Sequence, residues 1–140
     1  MALPTKLTLE IVTPDRSLIR EEVDEVQVPG SEGYLGILPG HTPLLSTLAV
    51  GELWYRAGQD KQYLFVTGGF VEVLPDRVTV LADVAEKAAD IDMARAEQAK
   101  TRAEEQLARP TAEVSADAAR QDLVKAQVRL QVASRTRARV

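Results

Sequence analysis

The chain has 140 residues, 45% hydrophobic and 27% charged, with a net charge of −4, one histidine and no cysteine. That is long enough to bury a core, and it excludes a disulfide framework, a thiolate nucleophile and a sulfur-based zinc site. The acidic sum also argues against a nucleic-acid partner, which would need a basic face. In chain order, Leu7, Leu9 and Ile11 alternate with polar residues up to Pro14, and Val23, Val26 and Val28 lead into Pro29-Gly30. The acidic run 21-EEVDE-25 alternates with valine as a solvated strand face would. Then come 34-YLGIL-38 and 43-PLLSTLAV-50, stopped by Gly51. The run 52-ELWYR-56 meets 61-KQYLFV-66 across a four-residue loop, 57-AGQD-60, and 70-FVEVL-74 meets 77-RVTVLA-82 across Pro75-Asp76. Each pair predicts a hairpin. Seven or eight short strands with no helical period between them predict an antiparallel sandwich or flattened barrel.

Composition then changes. All eight glycines, all six aromatics and six of the seven prolines lie at or before position 75, while sixteen alanines follow Arg77. Alanine loses little entropy in a helix, whereas turn formers and aromatics suit strands and tight connections. A β-sandwich over 1–84 and a helical hairpin over 85–140 are expected. Asp90 is the expected cap of a first helix running to about Leu107, and Ser115 the cap of a second running to about Arg135. Ala116, Ala119, Leu123, Ala126, Leu130 and Ala133 form a heptad seam on the second helix, facing Ala96, Ala99, Ala103 and Leu107 on the first. Alanine knobs bury little area at about 25 cal/mol per Å², so the hairpin is expected to be weakly held. Charge divides in the same place. Residues 1–84 carry 6 Lys/Arg against 12 Asp/Glu, and residues 85–140 carry 11 against 9. No acid follows Asp122, but Lys125, Arg129, Arg135, Arg137 and Arg139 do.

The stretch 29-PGSEGYLGILPGHTPLL-45 holds His41, the sole side chain whose ordinary pKa suits base catalysis near neutrality. No nucleophile elbow or Walker sequence accompanies it, and the glycines there do not open a helix. A catalytic reading therefore finds no partners, and no catalytic or metal-ligating residue is expected. What the loop offers is apolar surface (Tyr34, Leu35, Ile37, Leu38, Leu44, Leu45) on a backbone stiffened by glycine and proline turns. These side chains are either core or a docking face. No run approaches the roughly 18 apolar residues of a membrane span, so no direct membrane insertion is expected. The start, MALPTKLTLE, has neither an apolar signal core nor an arginine-rich presequence.

Taken together, 28-VPGSEGYLGILPGHTPLL-45, 67-TGGFVEV-73, 78-VTVLAD-83 and 91-IDMARA-96 resemble the epsilon subunit of F-type ATP synthases, in order and over the whole chain. The absence of a presequence fits a bacterial type, at the cytoplasmic face of the plasma membrane. The resemblance implies a ten-stranded sandwich followed by two helices. It also implies a non-catalytic rotor subunit at the foot of the central stalk, helping to couple proton flow through the c-ring to nucleotide chemistry in the catalytic head. By position, Ser31, Glu32, Gly33 and Tyr34 would meet the c-ring, and His41, Thr42, Pro43 and Leu44 the gamma subunit. Position 34 is acidic in some relatives, so a charge contact there is not implied. The hairpin would restrain ATP hydrolysis, with Lys125, Arg129, Arg135, Arg137 and Arg139 reaching acidic segments of the alpha and beta subunits. The plainer reading is that those cations complement a helix dipole. No cofactor is required. Some relatives bind regulatory ATP through an (I/L)DxxRA motif, matched by Ile91, Asp92, Arg95 and Ala96, which makes Glu86, Ile91, Asp92, Arg95, Arg102 and Arg129 the candidate set. The plainer reading of Asp92 is a helix-start carboxylate. A reading from another class is a free-standing β-sandwich binding module whose hairpin mediates oligomerisation.

Overall fold

The computed structural model describes residues 3–109, 111 and 115–137. Eight strands come first: β1 (Leu7–Val12), β2 (Ser17–Val23), β3 (Glu25–Gly30), β4 (Gly33–Ile37), β5 (Leu44–Thr47), β6 (Gly51–Ala57), β7 (Asp60–Leu74) and β8 (Arg77–Lys87). Two helices follow, α1 (Met93–Ala108) and α2 (Ala116–Arg137), with a 3₁₀ turn at Ala88–Asp90 before α1.

One hydrogen-bonded ladder, β2-β1-β8-β7-β6-β3-β4 with β5 on β7, folds into two layers. The fold line is at Gly68 and Gly69. Before it β7 pairs with β6, and after it β7 pairs with β5. On the β8 side, pairing runs through Thr67↔Val84 and resumes at Gly69↔Ala82. Both glycines have left-handed backbones, φ +69° and +95°, and a Cβ on Gly69 would lie 1.8 Å from the Leu81 carbonyl oxygen. Only glycine meets both conditions. Because β7 and β8 each serve both layers, eight strands supply five segments per layer, the ten of the expected sandwich.

The core lies between the layers and is built by alternation. Leu7, Leu9 and Ile11 of β1, Leu53 of β6, Leu64 and Val66 of β7, and Val78 and Val80 of β8 are fully buried. The expected Val23–Val28 run is broken at Asp24. Val23 pairs with Leu7 in one layer and Val26 with Tyr55 in the other, so the chain changes layer there. Asp24 staples that corner. It takes an ion pair from Lys6, a hydrogen bond from Gly58 N–H at 2.7 Å, and Arg56 at 3.7 Å. The Lys6 hydrogen bond, then that of Gly58, hold its carboxyl below the ordinary value of 3.8. Beside it, burial, reinforced by the Glu21 carboxylate, pushes the Tyr55 phenol up to about 12.

Four boundaries differ from expectation. The first hairpin loop has two residues, not four, because Ala57 pairs with Asp60 and Gly58 (φ +63°) takes the glycine-first position of a type II′ turn. The strand expected over 43–50 holds only Leu44–Thr47, after which Leu48 turns inward and bridges Gly30. The cap of α1 is Asp92, whose Oδ1 accepts from Arg95 N–H at 3.1 Å, while Asp90 ends the 3₁₀ turn. Ser115 Oγ caps α2 through Ala118 N–H at 3.1 Å, as its position suggested. β8 runs to Lys87, three residues past the boundary expected at 84/85, since Ala85, Glu86 and Lys87 still pair with β7. Contacts divide the chain into two compact units, up to Lys87 and from Ala88. Within the second, Ala96 and Ala103 of α1 and Ala119, Ala126, Val132 and Ala133 of α2 are buried.

Candidate functional site

The β3–β4 tip is a two-residue turn, Ser31-Glu32, between paired Gly30 and Gly33. Thr47 anchors it from β5: its hydroxyl donates to Ser31 Oγ at 2.6 Å, and its carbonyl accepts from Ser31 N–H at 3.0 Å. Glu32 and Gly33 stay exposed. Tyr34 is 58% exposed, and its ring leans back over its partner Pro29 toward Gly51, where a Cβ would meet the Tyr34 hydroxyl at 3.2 Å and Pro29 at 2.6 Å. The tip is thus rigid at its root and bare at its end.

The loop after β4 is held by backbone bonds. Gly40, at φ +87°, donates its N–H to the Pro75 carbonyl at 2.7 Å, and His41 N–H reaches the Leu38 carbonyl at 3.2 Å. His41 Nδ1 lies 2.6 Å from the Thr42 carbonyl oxygen. A carbonyl only accepts, so Nδ1 carries the proton and is spent on the loop. Thr42 and Pro43 are exposed, and Leu44 starts β5 opposite Val73.

The expected sites omit a feature next to them. Across the outward face of the layer formed by β1, β2, β5 and the adjoining halves of β7 and β8, register aligns Val12, Leu81, Phe70 and Thr47 in one row. The adjacent row is Glu10, Thr79, Glu72 and Leu45. Leu45, Phe70 and Leu81 are 69%, 51% and 50% exposed. The signal was present in the alternation itself: 70-FVEVL-74 and 77-RVTVLA-82 place Phe70 and Leu81 on the parity that Glu72 and Thr79 mark as solvent-facing. An apolar stripe rimmed by two carboxylates suits an apolar partner surface carrying basic groups.

On the hairpin, Arg102 of α1 and Lys125 and Arg129 of α2 line a groove of about 150 Å³ with Asp122 and Gln106. Asp92 and Arg95 are not in its lining, Ile91 is buried, and Asp92 is engaged as the α1 cap. Glu86 belongs to β8, opposite Phe65. Arg102 and Arg129 are therefore the members of the candidate ATP set that share one groove. In the basic tail, Arg135 and Arg137 continue α2, and Arg139 lies outside the described residues. No helix among the described residues is long and apolar enough to cross a membrane.

Comparison with known proteins follows this division. A family model described as ATP synthase, Delta/Epsilon chain, beta-sandwich domain matches residues 6–88. One described as ATP synthase, Delta/Epsilon chain, long alpha-helix domain matches residues 89–134. A protein named ATP synthase epsilon chain from Solibacter usitatus is 47% identical over 133 residues, covering 95% of this chain and 99% of the relative. ATP synthase epsilon chain 2 of Syntrophotalea carbinolica is 52% identical over 131 residues, covering 93% and 95%. Among solved structures, a chain of the Euglena gracilis mitochondrial ATP synthase OSCP/F1/c-ring assembly superposes with a TM-score of 0.74 at 22% identity, covering 99% of this chain and 83% of that one. At that identity the likeness speaks for the fold.

Proposed function

This chain belongs to the ATP synthase delta/epsilon family, as an epsilon chain, and from that premise we propose that it is a non-catalytic rotor subunit whose sandwich docks and couples while its hairpin regulates. The observation that carries the docking half is the exposed pair of Leu81 and Phe70 in one row, with Leu45 in the next row, on the outward face of one layer. A monomeric sheet has no reason to leave three large apolar side chains in water in adjacent rows of one face. The row adjoins Leu44 and the His41–Pro43 loop, so the gamma-binding surface extends from the loop across β5, β7 and β8. The Ser31–Tyr34 tip, anchored by Thr47, is the contact to the c-ring.

Two features support regulation by the hairpin. Its seam is mostly alanine and holds little area, so opening it is inexpensive. Its basic residues concentrate toward the end of α2, where they can meet acidic segments of the alpha and beta subunits. For ATP, the arginines of the groove suit phosphates. The groove is smaller than the roughly 300 Å³ of an enclosed ligand pocket, so a nucleotide would be held at the surface, by its phosphates on Arg102, Lys125 and Arg129. The occupation of Asp92 as a helix cap favours the helix-start reading of that residue over a direct role in ATP binding. The test of the docking half is co-purification with the cognate gamma subunit. Phe70→Glu is expected to weaken binding by about thirtyfold or more, as loss of an interface anchor does, while His41→Ala changes it little. Unchanged binding by Phe70→Glu would move the interface elsewhere. The ATP reading predicts that Arg102→Ala and Arg129→Ala each reduce nucleotide binding to the full chain, and equal binding by all three proteins would remove it.

A further inference from the structure

The β3–β4 tip begins from a backbone with much freedom. Glycines stand at both ends of its two-residue turn, and Gly33 lies at φ +131°. β4 also ends the ladder, with β3 as its one neighbour in it. The restraint on the tip comes from the chain that leaves β5. Ala49 N–H donates to the Pro29 carbonyl at 2.9 Å, Leu48 bridges Gly30, and Ser31 N–H donates to the Thr47 carbonyl at 3.0 Å. Residues 47–49 thus hold residues 29–31. Leu48 N–H donates in turn to the Gly69 carbonyl at 2.9 Å, which fastens this strap to the fold line. One tie is made by side chains: the Thr47 hydroxyl donates to Ser31 Oγ at 2.6 Å. The backbone ties ask only for a conformation, whereas the hydroxyl pair asks for Thr47 and Ser31 themselves.

We infer that Thr47 is the positioning residue of the tip, its hydroxyl acting through Ser31 to hold Ser31 and Glu32 in the arrangement that binds. The inference rests on the reading of the tip as the contact to the c-ring. A turn flanked by glycines and left to itself must be ordered when it binds, and that cost is subtracted from affinity. A hydroxyl bond already made in the free chain removes part of the cost beforehand. The bond reaches the turn itself, one residue from the exposed Glu32. The Thr47 carbonyl is also well occupied, since Ser46 Oγ donates to it at 3.1 Å beside Ser31 N–H. Register adds a consequence. Thr47 stands opposite Phe70, in the row of exposed apolar side chains. The strand that carries one proposed docking surface therefore also sets the other, and Thr47 is where the two are joined.

Two measurements on the full chain test this. The first is the affinity of the chain, bound to saturating cognate gamma subunit, for the detergent-solubilised cognate c-ring. Thr47→Val keeps the shape of a β-branched side chain on an exposed strand face, so the fold should hold, checked by its melting curve. It is expected to weaken c-ring binding about three- to tenfold, the worth of one hydrogen bond. Thr47→Ser, which returns the hydroxyl, should restore the affinity. In a Ser31→Ala background Thr47→Val should have no further effect, because the group it acts through is gone. The second measurement needs no partner. A nitroxide on Glu32→Cys, the sole thiol of its chain, should move faster after Thr47→Val and slow again with Thr47→Ser. Unchanged c-ring affinity with Thr47→Val, no recovery with Thr47→Ser, an undiminished loss in the Ser31→Ala background, or a nitroxide indifferent to Thr47→Val would each overturn the inference. A wild-type chain that ignores the c-ring while its nitroxide responds as expected would overturn the reading of the tip, and leave Thr47 as the residue that sets the turn.

Discussion

The sandwich and the hairpin bury side chains of opposite kinds. Of the eighteen residues in the core cluster of the sandwich, among those described, seventeen are Leu, Val, Ile or Tyr and one is Ala82. Of the seven buried apolar residues among those described in the hairpin, five are alanine, joined by Ile91 and Val132. Buried area scales with side-chain size, so the first unit is rigid and the second is held by close backbone approach with little stabilisation to spare. A single short chain thereby joins a unit packed on large side chains to one packed on small ones, the contrast on which the proposed docking and regulatory roles rest. The corner glycines reinforce the contrast: the sandwich is folded by steric necessity at Gly68-Gly69, whereas the hairpin is positioned by two capping side chains.

The largest effect that would sharpen this contrast is at the fold line. Gly69→Val puts a branched side chain into a left-handed backbone and against the Leu81 carbonyl. It should destabilise the sandwich by about 3 kcal/mol or more, read from Trp54 fluorescence on heating; a wild-type melt would disprove the corner account. Next, Leu53→Ala in the sandwich should cost about 2–5 kcal/mol by the same melt. Val132→Ala should cost only about 1–2 kcal/mol, visible as faster amide exchange in α1 and α2 with the Trp54 transition unmoved. Equal costs would erase the distinction between the units. Smaller again, Asp92→Ala removes the α1 cap at about 1 kcal/mol, and exchange should quicken over the first turn of α1 alone. The last effect concerns acid. Asp24 titrates below its unfolded value of 3.8, so its contribution is complete above 3.8 and is lost as pH falls through the lower folded value. Asp24→Asn should lower stability near neutrality and flatten the acid limb of the sandwich's melting temperature, leaving hairpin exchange unchanged. An unaltered limb would mean the Lys6–Asp24–Gly58 staple contributes nothing.

Much of this was legible in the sequence because it is local. Alternation at Leu7, Leu9 and Ile11 marks the inward face of β1, and alanine spacing marks the seam of the hairpin. What was missed depends on partners distant in sequence. Nothing near Asp24 reveals that Val23 and Val26 belong to different layers, since that follows from pairing with Leu7 and Tyr55. The Asp90 cap was a near miss, because two aspartates two residues apart are equally good caps until the 3₁₀ turn uses one of them. The exposed apolar row was partly legible: Phe70 and Leu81 break the polar parity of their strands, but only the β7–β8 register brings them side by side. Ile91 and Asp92, read as parts of a ligand motif, also have places in the local fold, as a buried side chain and a helix cap, which a short motif does not disclose.

The division of labour between the two units is tested most directly in the assembled enzyme. ATP hydrolysis and proton pumping would be measured for the cognate complex built with the full chain or with one ending at Lys87, which keeps β8 whole. Faster hydrolysis with the shorter chain, still coupled to pumping, is the predicted result. Equal hydrolysis rates, or loss of coupling when the hairpin is removed, would contradict it.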